Sequence, residues 1–258
     1  MFFQLKSYLR FLLKSQNQHG LHSPFVYDLV TKCFYDKKEH PEYELLKNYR
    51  NNMLKSQEKI EVTDFGAGSR VFNSNLRPVR DIAKNAGINY KRSKLLLRLT
   101  KYLDINNALE LGTSLGLASS AIGANRTTSL TTIEGCRETA TIASRQFKKY
   151  ELNNIELKTE PFGSVLDELL KDNPKFDLIY FDGNHQKTST LEYFELLLPT
   201  AHNDSVFIFD DIYWSPEMKE AWEEIIAHPQ VQVSIDTFHW GIIFFRKQQA
   251  KQHFKIRL

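Results

Sequence analysis

The sequence is poor in the features that mark special classes of protein. It has only two cysteines, Cys33 and Cys136, 103 positions apart and in unrelated contexts. Two thiols make no disulfide framework, and no cysteine or histidine spacing matches a metal-ligand motif, so the expectation is two reduced thiols in a cytoplasmic protein. No apolar run approaches the roughly 18 to 20 residues needed to span a bilayer. The stretch Met1 to Leu13 is apolar but broken by Lys6 and Arg10, which argues against an export signal. Whether it lies on a membrane surface or packs as an ordinary amphipathic helix stays open at this stage. Internal repeats and low-complexity tracts are absent. With hydrophobic residues at 41% and charged residues at 25%, the composition is that of a folded globular chain.

A net charge of +3 conceals an uneven distribution, +9 over residues 1–100 and −6 over residues 101–258. A basic front half can attract an anionic partner, although solvated helix faces account for such an excess more often. Phe2, Leu5, Leu9, Leu12 and Leu13 recur at helical spacing. Ser23-Pro24 supplies a cap and a first-turn proline for a second helix reaching about Tyr35. Further helices are predicted over about 42–58 and 91–103.

From Asn107 the pattern changes. Short apolar runs at 108–111, 129–133, 155–157, 178–181 and 206–209 alternate with helical stretches, the mark of βαβ units and a parallel sheet. Two more strands, 231–235 and 241–245, follow with no helix between them. Their short link forces them to be antiparallel, since a parallel crossover needs a dozen or more residues.

The strongest chemical signal is Leu109-Glu110-Leu111-Gly112-Thr113-Ser114-Leu115-Gly116, an apolar strand running into a glycine turn that opens a helix. Gly112 permits a sharp turn and the close approach of a ligand to the backbone. The spacing is not that of the dinucleotide fingerprint, because Ser114 and Leu117 stand where glycines would be. About twenty residues on, Glu134 closes the next strand with a carboxylate, where an acid can accept hydrogen bonds from both ribose hydroxyls of a nucleoside. Asp182, Asp210 and Asp211 also follow predicted strands, at the sheet edge where open α/β folds bind ligands.

Taken together, Leu109 to Gly116, Glu134, Phe181-Asp182-Gly183-Asn184-His185 and Phe209-Asp210-Asp211 resemble the class I S-adenosylmethionine-dependent methyltransferases. Within them the chain is most similar to the small-molecule O-methyltransferase branch that includes catechol O-methyltransferase. The resemblance covers about residues 90–245. It implies a Rossmann-like, doubly wound, seven-stranded α/β sheet of order 3-2-1-4-5-7-6 with the last strand antiparallel. Residues 90–258 would form the cofactor-binding domain and residues 1–89 a helical extension or lid. It further implies that Glu110 faces the methionine amino group, that Gly112, Thr113, Ser114 and Gly116 line its carboxylate and ribose, and that Glu134 holds the ribose. Phe162 would stack on adenine, with a place in the core as the alternative. Asp182 would serve both cofactor and catalysis, and Asp182, Asp210 and Asp211 would hold Mg or Ca, as carboxylates suit hard cations. Catechol enzymes carry Asn where this chain has Asp211, and helix or turn capping is the competing role for these acids. His185 occupies the place of that branch's basic Lys, where an imidazole can accept a proton near neutral pH.

The implied acceptor is a small molecule, with negative charge if it meets the basic cluster Arg70, Arg77, Arg80, Lys91 and Arg92. A nucleic-acid methyltransferase and a non-catalytic nucleoside-binding protein are the rival readings. The Asp64-to-Arg70 segment, Asp-Phe-Gly-Ala-Gly-Ser-Arg, resembles a second cofactor turn but lacks a βαβ series of its own, and is read as a loop.

Overall fold

In the computed structural model, residues 2–63 and 74–258 are described; the Asp64-to-Arg70 segment lies outside them. The chain divides into two compact units, one made of the residues up to Tyr35 together with Asn173–Leu258, the other of Asp36–Asp172.

The first unit opens with α1 (Phe2–Lys14) and α2 (Pro24–Leu29). The Ser23 side chain accepts from the Val26 amide and Pro24 occupies the first turn, so α2 starts where the sequence places it. It continues as a wider turn over Val30–Phe34, closed by a bond from the Tyr35 amide to the Val30 carbonyl, which rotates Val30, Cys33 and Phe34 into the interior.

The middle unit begins with α3 (Glu42–Lys55), whose Tyr43, Leu46, Tyr49 and Met53 form a buried stripe at helical spacing. A small antiparallel hairpin follows, β1 (Lys59–Glu61) with β2 (Leu76–Pro78), Ile60 opposite Arg77. Pro78 ends the strand and leads into α4 (Val79–Asn85). α5 (Tyr90–Tyr102) is capped by Asn89, whose side chain accepts from the Arg92 amide at 2.9 Å. Three βα repeats complete the unit: β3 (Asn107–Leu111) with α6 (Leu117–Gly123), β4 (Ser129–Ile133) with α7 (Arg137–Lys149), and β5 (Ile155–Lys158) with α8 (Phe162–Leu169). β4 lies between β3 and β5, parallel to both, with Leu109 opposite Thr131 and Thr131 opposite Glu156.

The first unit resumes with β6 (Leu178–Phe181), α9 (Lys187–Leu197), β7 (Val206–Asp210), α10 (Pro216–Ala227), β8 (Val233–Asp236), β9 (Trp240–Phe244) and β10 (Gln252–Lys255). β6 and β7 are parallel, β9 is antiparallel to both β7 and β8, and β10 runs parallel to β8. Every residue of β6 to β9 is buried, as expected for strands covered on both faces.

The runs β5-β4-β3 and β6-β7-β9-β8 reproduce the two halves of the order 3-2-1-4-5-7-6, and the antiparallel member is the last of its strands in chain order, β9. β10 is an addition to that pattern, as is the β1–β2 hairpin.

Candidate active site

In the middle unit, the glycine turn is pinned to the neighbouring strand. The amides of Gly112 and Thr113 both donate to the Ile133 carbonyl, at 2.9 and 3.2 Å. Gly112 has φ +102° and Gly116 φ +76°, conformations that a side chain resists. At Gly116 the reason is packing as well: an added Cβ would lie 2.5 Å from the Tyr49 hydroxyl and 2.6 Å from the Phe147 ring. Tyr49 is held there by donating to the Leu115 carbonyl at 2.9 Å. Ser114 takes φ +49° with a side chain present, a strained position for a serine.

Strain at Ser114 aims its amide at Glu134. The Glu134 carboxylate accepts from the Ser114 amide at 2.7 Å and from the Cys136 amide at 2.8 Å. The two motifs that stand twenty residues apart in sequence are therefore bonded to one another. Burial pushes the Glu134 carboxyl up, opposed by the Cys136 and Ser114 amides. A carboxylate offers about four lone-pair sites, so acceptor capacity remains for further donors.

Glu110 lies fully buried beneath the turn. One of its oxygens accepts from the Ser119 hydroxyl and, at 2.6 Å, from Thr132, which is itself 2.6 Å from the Thr113 hydroxyl. The other oxygen is buried with no hydrogen-bond partner among the described residues. Burial drives the carboxyl from its ordinary 4.5 up to about 7; the Ser119 and Thr132 hydroxyls oppose this and the charge of Glu134 adds to it. Phe162 begins α8 half-buried, outside the closed core.

In the other unit, β6 and β7 end in a second group. The Nε2 atom of His185 stands 3.8 Å from Asp182 Oδ1, and the imidazole lies 6.1 Å from the Trp214 ring. Asn184 and His185 have φ +72° and +47°, and the His185 amide closes a tight turn onto the Gly183 carbonyl at 2.9 Å. Asp210 is buried; it accepts from the Tyr180 hydroxyl at 3.1 Å and from the Asp211 amide at 2.9 Å. Asp211 has φ +52°.

A family model described as a methyltransferase domain matches residues 109–212, from the strand that enters the glycine turn to the residue after Asp211. This stretch is a methyltransferase domain. A comparison with curated proteins gives no significant match. Among solved structures, the chain is similar to an O-methyltransferase from Bacillus cereus in complex with SAH (18% identity, TM-score 0.52, covering 83% of this chain and 93% of that one). It is also similar to the O-methyltransferase TomG from Streptomyces achromogenes, involved in tomaymycin synthesis and bound to SAM (17%, 0.56, 83% and 92%). SAH-bound PaMTH1 from Podospora anserina gives 13% identity and a TM-score of 0.59 over 87% of this chain and 97% of that one. The methyltransferase domain thus sits in a Rossmann-like fold shared across distant sequences.

Asp182 follows β6 and Asp210 closes β7, so the three acids of the expected metal site, Asp182, Asp210 and Asp211, stand at strand ends. Among the described residues no three His, Cys, Asp or Glu side chains converge to hold a metal ion. Of the basic cluster, Arg77 is buried and donates to the Ser74 carbonyl, and Arg80 reaches Gln57 and Asp81; Arg70 lies outside the described residues. Sequence reasoning missed Thr132, Ser119 and Tyr49. A signal for two of them exists: Ser119 is a polar residue in the wholly buried helix α6, and Thr132 is an inward hydroxyl on an apolar strand.

Proposed function

We propose that the protein transfers the methyl group of S-adenosylmethionine to an oxygen atom of a small-molecule acceptor. The observation that carries this reading is the bond between the glycine turn and Glu134, which presents an oriented carboxylate beside a backbone loop at the ends of two parallel strands. The arrangement suits a nucleoside with two vicinal hydroxyls. When bound, the donor supplies an electrophilic methyl group on a sulfonium.

In this reading Glu134 accepts from the ribose hydroxyls, and Gly112, Thr113, Ser114 and Gly116 shape the loop along the methionine and ribose. Glu110 acts from beneath, through Thr132 and Thr113. Phe162, accessible at the start of α8, stacks on the base. His185, with Asp182 beside it, takes the proton from the acceptor hydroxyl, and Asp182 also contacts the cofactor. No step passes through a metal ion. The positive excess of residues 1–100 favours an anionic acceptor. We assign residues 90–258 to the methyltransferase domain and residues 1–89 to an extension of it. We place the protein in the cytoplasm, where its two buried thiols, Cys33 and Cys136, stay reduced.

The test is calorimetry of the full chain with S-adenosylhomocysteine, with and without magnesium, for the wild type and Glu134→Ala. Binding by the wild type that the substitution weakens supports the assignment. A folded wild type that does not bind, or equal affinity in both proteins, refutes it.

A further inference from the structure

Helix α1 is built with its apolar face outward. Its buried residues are Ser7 and Phe11, and Tyr8 and Phe11 pack on the Phe238 ring with centroids 4.8 and 5.7 Å away. Phe2, Leu5, Leu9 and Leu13 are 81, 59, 54 and 87% exposed. At about 100° per residue these four side chains form one stripe centred roughly opposite the Ser7–Phe11 face. An ordinary amphipathic surface helix does the reverse, and a contiguous exposed apolar stripe marks a surface that something covers.

The charges beside the stripe identify the kind of surface. Lys6, Arg10 and Lys14 follow one another a helical turn apart along one flank, and the helix contains no acid. Arg257 adds a fourth cation at its last turn, donating to the Leu12 carbonyl and to the Ser15 hydroxyl, both at 3.3 Å. A second copy laid stripe to stripe would set these cations against their own kind, with no carboxylate on the helix to answer them. Thirteen residues make a helix of only about 20 Å, too short to cross a bilayer, and no helix among the described residues is long and apolar enough to do so. Aromatic and leucine side chains on one side and lysine and arginine beside them are what a helix needs to lie in the headgroup region of an anionic membrane.

We propose that α1 docks the protein onto anionic phospholipid surfaces, with Phe2, Leu5, Leu9 and Leu13 entering the headgroup–acyl boundary and Lys6, Arg10 and Lys14 contacting lipid phosphates. The inference does not depend on the methyl donor or acceptor.

Co-sedimentation of the full chain with vesicles tests it, comparing phosphatidylcholine alone with equal parts phosphatidylcholine and phosphatidylglycerol. The wild type partitions onto the mixed vesicles, less so at high salt, and poorly onto phosphatidylcholine. Leu5→Ser/Leu9→Ser/Leu13→Ser and, separately, Lys6→Glu/Arg10→Glu each weaken partitioning by about tenfold or more. All the substituted residues are exposed, and unchanged thermal unfolding confirms that each variant is folded. A wild type that stays in the supernatant, equal binding to both vesicle types, or a serine variant that binds as the wild type does overturns the proposal. So does a wild-type dimer that the serine substitutions convert to monomer without any vesicle binding, which would assign the stripe to a second copy.

Discussion

Replacing Glu110 by Gln tests how the glycine turn is supported from below. The carboxyl is fully buried and ionises at about 7 in the folded protein, against 4.5 ordinarily. Below 4.5 it is protonated in both folded and unfolded chains and has no influence on stability. As pH rises from 4.5 to about 7, the unfolded chain releases this proton and the folded chain keeps it, so stability falls through that window and levels off above it. At 1.36 kcal/mol per pKa unit, the loss is about 3 kcal/mol. The glutamine variant does not titrate and escapes it. Its amide leaves a donor facing the same buried spot as the unpartnered Glu110 oxygen, a penalty that is the same at every pH. Glu134 is present in both proteins, and the nearby Tyr49 hydroxyl, pushed well above its ordinary range by burial, stays neutral throughout. Urea unfolding of both proteins from about pH 4 to about pH 8 measures the difference. The expected result is a gap that shifts in favour of the variant by about 3 kcal/mol across the series. Parallel stability curves would show that Glu110 ionises normally and that the buried network has been misread.

Gly116→Ala forces a left-handed alanine, at about 1–2 kcal/mol, and overpacks Tyr49 and Phe147, at about 1–3 kcal/mol. Gly163→Ala, in α8 with nothing within 4 Å of the new Cβ, stabilises by up to about 1 kcal/mol. Equal unfolding midpoints for the two would contradict the packing described at Gly116. Glu134→Ala weakens S-adenosylhomocysteine by about 1.5–3 kcal/mol for each charge-assisted bond lost, read by calorimetry. His185→Ala lowers kcat by about 10²-fold or more on any acceptor the wild type turns over; unchanged turnover removes His185 from the reaction. Excess EDTA leaves turnover unaltered, and loss that magnesium restores would show that Asp210 has more to do than receive Tyr180 and Asp211.

Strands β6 and β7 were legible because burial on both faces demands unbroken apolar runs. Ser129–Ile133 and Leu178–Phe181 stand in the structure with the limits that the residues alone indicate. Lys187–Leu197 and Pro216–Ala227 do so as well, the second because Ser215 and Pro216 cap and start it. The β1–β2 hairpin was not legible: three-residue strands such as Lys-Ile-Glu and Leu-Arg-Pro carry too little alternation to stand out. Nor was β10, whose Gln-His-Phe-Lys has one apolar residue and joins the sheet through its backbone. At the site, the glycine turn and Glu134 could be read because backbone geometry restricts the residue choice there. The hydroxyls around Glu110 were harder to read, since threonine and serine are as common on surfaces as in buried networks, and only the apolar setting of Ser119 and Thr132 sets those two apart.

Three strands of this protein give way at their C-terminal ends to side-chain-bearing residues twisted into left-handed backbone: Ser114 after β3, Asn184 and His185 after β6, Asp211 after β7. Each such residue costs on the order of 1–3 kcal/mol that a glycine would spare. Selection for heat resistance alone should therefore erode these rims first, exchanging them for glycine and yielding a hardier chain with blunted chemistry. With serine, asparagine, histidine and aspartate there instead, the fold gives up durability at these rims.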